Sequence, residues 1–176
     1  ARLKTLIASI SPIVITSSLC YKYNLFNTNI FIFTMIAALL IQIATNYIND
    51  LYDFKKGGDD HIRVGPDRMI QKGFLSQNEI KTAIYIILLL ALLIGIYLAS
   101  IGGIIIIMIG ISSFIFAYLY TAGPFPLAYN GLGDLFVFIY FGIIAVMGSY
   151  YLQTGFIDTN ALYMGISIGV KNIILL

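Results

Sequence analysis

Residues 29–60 read NIFIFTMIAALLIQIATNYINDLYDFKKGGDD: an apolar run, then amides and acids, then a charged, glycine-containing loop. A helix needs about 20 apolar residues to cross the hydrocarbon core of a bilayer. The apolar run lacks the alternation of a strand and is too long for one. A helix also satisfies its own backbone in lipid. The stretch predicts a membrane helix with polar chemistry at its end.

The rest of the chain agrees. Its 176 residues are 60% hydrophobic and 10% charged, with a mean hydropathy of +0.94. Soluble domains carry about a quarter charged residues, and disordered chains are poor in apolar ones. Spans are expected at roughly 5–22, 29–49, 82–100, 102–121, 132–152 and 159–176. The predicted fold is an all-α, polytopic transmembrane helical bundle of six spans. Breaks are expected at Ser100-Ile101-Gly102-Gly103, Gly123-Pro124-Phe125-Pro126 and Thr154-Gly155. Cys20 is the single cysteine, so there is no internal disulfide and no zinc pattern. Leu19 before it does not suit a lipoprotein signal, which leaves a small apolar helix residue.

Of the 18 Asp, Glu, Lys and Arg residues, 12 lie between Asp50 and Lys81. That segment holds Lys55, Lys56, Arg63, Arg68, Lys72 and Lys81, which places it in the cytoplasm by the positive-inside rule. The N-terminus and the Pro-containing loop fall on the same side, in a multi-pass protein of the cell (plasma) membrane. The plain alternative is a solvated loop that only sets topology.

Residue order argues for more. Asn46, Asn49, Asp50 and Asp53 recur at three- and four-residue spacing, so a helix presents them on one face. Two carboxylates one turn apart repel, and at a membrane helix end both are costly to desolvate. A divalent cation relieves both costs, and oxygen-only ligands without His or Cys favour Mg²⁺. Arg63, Arg68 and Lys72 follow, where they can hold a diphosphate. Such a site supports ionisation of an allylic diphosphate, whose carbocation is then attacked by an electron-rich aromatic acceptor. Phe114, Phe116, Tyr118 and Tyr120 are candidates to stabilise that cation, with Tyr120 best placed at the cytoplasmic end.

Other polar residues divide more evenly. Asp134 reads as a substrate or loop-ordering group, or as a helix N-cap. His61 reads as a solvated loop residue. Tyr150 and Tyr151 fit an interfacial belt at the outer end of the fifth span, with Gln153 beside them outside the site. Lys171 is either a snorkelling anchor or a residue pointing to the site.

At Asn49-Asp50-Leu51-Tyr52-Asp53 the chain resembles the UbiA superfamily of membrane prenyltransferases. The common third Asp, four residues on, is Gly57 here. Lys56-Gly57-Gly58-Asp59 is instead similar to the Lys-Gly-x-Asp of the dihydroxynaphthoate polyprenyltransferase branch, which offers Asp59 as the third acid. Arg63-Val64-Gly65-Pro66-Asp67-Arg68, Gln71-Lys72-Gly73, the opening Arg2-Leu3-Lys4-Thr5-Leu6 with Ser9-Ile10-Ser11-Pro12, and the segment from Tyr120 to Tyr129 look like the same branch. So do Gly133-Asp134-Leu135-Phe136-Val137 and Gly148-Ser149-Tyr150-Tyr151-Leu152-Gln153-Thr154.

The resemblance implies transfer of a polyprenyl group to 1,4-dihydroxy-2-naphthoate, with loss of its carboxylate, towards demethylmenaquinone. It implies Mg²⁺ held by Asn49, Asp50, Asp53 and Asp59, diphosphate held by Arg63, Arg68 and Lys72, and Asn46 and Asp134 in support. The family has nine transmembrane helices and a second Asp-rich motif after the sixth. The chain ends at Leu176, about where that motif is expected, so it reads as a single domain truncated at the C-terminus. Expected partners are a polyprenyl diphosphate, an aromatic acceptor and the lipid bilayer, and no nucleic acid. Three rivals stand beside this reading: a family branch with another acceptor, a non-catalytic half-fold, and a transporter. The transporter predicts polar span interiors, and these are almost free of charge.

Overall fold

A computed structural model gives the structure of residues 3–55 and 76–176. Among these residues there are helices and turns and no strands. The order is α1 (Leu3–Lys22), α2 (Thr28–Lys55), α3 (Gln77–Leu119), a 3₁₀ turn (Leu127–Asn130), α4 (Gly133–Phe138), a π-helical segment (Ile139–Ile144), α5 (Ala145–Thr154) and α6 (Thr159–Leu175).

α3 has 43 residues, and a straight helix of that length runs about 65 Å, twice the hydrocarbon thickness. It does not run straight. Gly103 has φ +60° and ψ −148°, a conformation close to the region reserved for glycine. Ile80 near the start of α3 and Ala122 just past its end share a cluster with Ile48 and Leu51 of α2. Leu98 and Ile106, on either side of the bend, share another with Ile30 at the opposite end of α2. The chain therefore reverses at Gly103, and both limbs of α3 lie along α2. At its start, a capping box fixes α3: Ser76 Oγ accepts from the Glu79 N–H, and the Glu79 carboxylate accepts from the Ser76 N–H at 2.7 Å.

The expected class holds and the expected count of six separate spans does not. Among the described residues four helices are long and apolar enough to cross a membrane: Leu3–Lys22, Thr28–Phe54, Gln77–Leu119 and Gly133–Thr154. The break expected at Ser100-Ile101-Gly102-Gly103 does fall where the chain reverses, so the spans expected at 82–100 and 102–121 are the two limbs of α3. α6, expected to cross at 159–176, has 17 residues and stands at the short limit for a crossing. Leu89, Leu93, Ile104, Met108 and Ile111 of α3 are each more than half exposed, as lipid-facing side chains are.

α6 packs tightly on the chain before it. A Cβ on Gly142 would lie 2.5 Å from Gly169 Cα, and one on Gly169 would lie 2.7 Å from the Phe138 carbonyl oxygen. The two backbones touch, as small residues allow between membrane helices. A π-helical turn disturbs the regular pairing of backbone carbonyls. Asn172 of α6 answers this by donating from Nδ2 to the Phe141 carbonyl at 2.8 Å and to the Ala8 carbonyl at 3.3 Å.

At the opposite end of the bundle Cys20 is buried with Val146, Tyr150 and Ala161, as a small apolar helix residue should be. The expected tyrosine belt is corrected: Tyr150 is 4% exposed, and Tyr151 packs on the Ile30–Leu98 cluster. α5 is enclosed by α1, α2, α3 and α6, so its tyrosines meet protein before they meet headgroups. Gln153 ties down the start of α2, accepting from the Asn27 N–H at 2.7 Å and donating to its carbonyl at 3.2 Å.

Candidate active site

The last turns of α2 bring Asn46, Asn49, Asp50 and Asp53 together. Asn46, Asn49 and Asp53 are buried, Asp53 to 5% exposure, and Asp50 is half-buried. Each of three neighbours holds one of them. Asn46 donates from Nδ2 to Thr5 Oγ1 of α1 at 2.9 Å. Asn49 Oδ1 accepts from Thr121 Oγ1 at 2.5 Å, just past the end of α3. Asp53 Oδ1 accepts from the phenol of Tyr129 in the 3₁₀ turn. A carboxylate this buried needs such donors, since an unpaired buried charge is costly. The geometry adds Thr5, Thr121 and Tyr129 to the residues chosen from spacing. All three fall in segments that resemble the family, but helical spacing does not mark them, because these pairs lie 41, 72 and 76 residues apart.

An apolar cavity of about 340 Å³ lies against the same helix, lined by residues of α1, α2, both limbs of α3, α4, the π-helical segment and α5. Phe114, Phe116 and Tyr120 line it with Phe136 and Tyr140. Phe116 packs on Phe136 and Tyr140, with ring centroids 4.6 and 5.0 Å away. Tyr118 does not line the cavity. It lies edge-on to Tyr52, with centroids 5.6 Å apart and hydroxyls 3.1 Å apart. Asp134 is exposed in the first turn of α4; of its two expected readings the N-cap is corrected, since that position belongs to Leu132. Lys171 is exposed beside the buried Asn172. His61, Asp59, Arg63, Arg68 and Lys72 lie outside the described residues.

Two carboxylates and two amides on one face form a hard, oxygen-only donor set, which suits Mg²⁺ better than zinc or a redox metal. Among the described residues no cluster holds three or more His, Cys, Asp or Glu. The face fits a cation that takes one or two carboxylates and completes its shell with water and phosphate oxygens. It does not fit an all-protein cage.

The fold and site together define a membrane helical bundle with an acid-and-amide face beside an apolar cavity. The chain belongs to the UbiA prenyltransferase family, whose family model matches residues 10–171. A 1,4-dihydroxy-2-naphthoate octaprenyltransferase of Haemophilus influenzae is 35% identical over 178 residues, covering 97% of this chain and 58% of that protein. Its namesake in Escherichia coli is 37% identical over 158 residues, covering 86% of this chain and 51% of the relative. The human UbiA prenyltransferase domain-containing protein 1 is 27% identical over 151 residues, covering 84% and 44%. The chain thus spans about half the length of the curated relatives it matches.

Proposed function

We propose that this chain carries the diphosphate-binding half of a prenyl-transfer site, with 1,4-dihydroxy-2-naphthoate as the acceptor. The observation that carries the reading is the polar face Asn46–Asn49–Asp50–Asp53, on the helix that also walls the apolar cavity. The polar face suits the head of an allylic polyprenyl diphosphate and the cavity suits its chain. The names of the bacterial relatives supply the acceptor.

In this reading Asp50 and Asp53, with Asn49 and Asp59, would hold Mg²⁺, which would supply positive charge to the departing diphosphate. Thr5, Thr121 and Tyr129 orient the α2 face, and Arg63, Arg68 and Lys72 supply the remaining positive charge to the phosphates. The allylic C–O bond breaks and diphosphate leaves. A C–C bond then forms to the acceptor ring, which loses its carboxylate as carbon dioxide. Tyr120 offers its ring face to the allylic cation, and the apolar wall keeps water from it. The charged segment from Asp50 to Lys81, which holds six of the ten Lys and Arg residues, faces the cytoplasm of a plasma-membrane protein.

The test is an assay of the full-length protein in membranes, with a radiolabelled polyprenyl diphosphate and dihydroxynaphthoate. The expected result is a prenylated naphthoquinol formed only with Mg²⁺ and abolished by EDTA. Turnover undiminished by EDTA refutes the metal assignment, and transfer to a different aromatic acceptor alone refutes the acceptor.

A further inference from the structure

Gln42 stands one turn deeper into the membrane than Asn46, on the same face of α2. It is 6% exposed and lines the apolar cavity. Among the described residues its amide has no hydrogen-bond partner. The hydroxyls around it are spent on their own helices: Ser9 donates to the Leu6 carbonyl, Thr45 to Ile41 and Ser113 to Ile109, at 2.8, 2.8 and 2.7 Å. Thr34 also lacks a partner, but its oxygen is sealed from the open space. A buried amide facing an apolar cavity is costly until a polar atom pairs with it, and a ligand that fills the cavity and displaces its water must bring that atom.

We propose that Gln42 recognises the aromatic acceptor, its amide pairing with a ring hydroxyl. The proposal rests on the prenyl-transfer reading and names a specificity-determining residue for it. The isoprenoid chain cannot meet the need, since it carries no hydrogen-bonding atom. The diphosphate is too far away. Gln42 lies seven residues from Asn49, about 10 Å along the helix axis. A two-ring acceptor beside the reacting carbon spans the step between that face and Gln42, and its hydroxyl both donates and accepts as an amide does.

The experiment compares full-length wild type with Gln42→Leu, and with Gln42→Met should the leucine variant fail to insert. Dihydroxynaphthoate binding is followed by the ligand's own fluorescence, and steady-state transfer is measured while each substrate is varied. The expected result is a rise of about tenfold or more in the dissociation constant and KM for the acceptor. The KM for the diphosphate stays within about twofold and the melting temperature of the free protein is equal or higher, because an unpaired buried amide has gone. Gln42→Asn, one methylene shorter, recovers part of the affinity. Unchanged acceptor KM, equal shifts in both KM values, or a lower melting temperature with both shifted overturns the assignment. Wild type that neither binds nor prenylates dihydroxynaphthoate overturns the parent reading and this one with it. Wild type that does both, matched by the Gln42 variants, overturns this one alone.

Discussion

The polar face of α2 and the seam between the π-helical segment and α6 are both tightly ordered, by opposite means. At the polar face, three side chains from three other segments each hold one group: Thr5 on Asn46, Thr121 on Asn49 and Tyr129 on Asp53. At the seam backbone lies on backbone, with Gly142 and Gly169 leaving no room for a Cβ and Gly165 leaving little. A polar contact can be removed one at a time, each loss costing on the order of 1 kcal/mol. A backbone contact has no such graded loss. The first region is therefore where chemistry can be altered without losing the fold, and the second is where the fold itself is at stake.

The largest expected effect follows from that contrast. Asp50→Ala in the full-length protein should lower transfer by roughly 100- to 1000-fold, as the loss of a charge-stabilising group in a reaction centre does. Its melting temperature in detergent should stay within a few degrees of wild type. The converse holds at the seam. Gly142→Leu should destabilise by about 1–3 kcal/mol through overpacking, read as a lower denaturation midpoint. Any loss of transfer there should scale with the folded fraction. If Gly142→Leu keeps full stability while transfer falls, the division of labour between the two regions is wrong.

Smaller effects sharpen the comparison. Gly103→Ala puts a side chain on backbone that favours glycine, although the space around it is open. It should cost about 1–3 kcal/mol as pure conformational strain, measured by thermal melt. Thr121→Val removes the donor to Asn49 and keeps the volume. It should cost about 1 kcal/mol in stability and about tenfold in transfer, the scale seen when a ligand loses its orienting partner. Asp158→Ala removes the N-cap of α6, whose carboxylate accepts from the Asn160 N–H at 2.5 Å. A loss of about 1 kcal/mol is expected there, with transfer per folded molecule unchanged.

The polar face was legible in the sequence because charge is rare in a membrane chain and its spacing is local. Asn46, Asn49, Asp50 and Asp53 fall on one face by helical geometry alone, and the structure brings them together. The segments that hold Thr5, Thr121 and Tyr129 were singled out by resemblance, but their pairing with this face was not legible, since long stretches of chain separate them from it. The seam was hidden for a different reason. A glycine in a span reads alike as filling, break or close contact until its neighbour is known, so Gly142 and Gly169 carried no mark. The break at Gly102-Gly103 was legible, and the structure places the meeting of the two limbs of α3 there. Tyr150 was assigned to an interface from its place near a span end, and burial by the surrounding helices decided otherwise.

The central claim is that the carboxylate face of α2 binds a divalent metal together with a diphosphate. Mn²⁺ in place of Mg²⁺ gives a paramagnetic probe of that face in the full-length protein. Electron paramagnetic resonance with added geranyl diphosphate should show bound Mn²⁺ in wild type and its loss in an Asp50→Asn/Asp53→Asn double variant of equal melting temperature. Equal diphosphate-dependent Mn²⁺ binding in the two proteins would contradict the account.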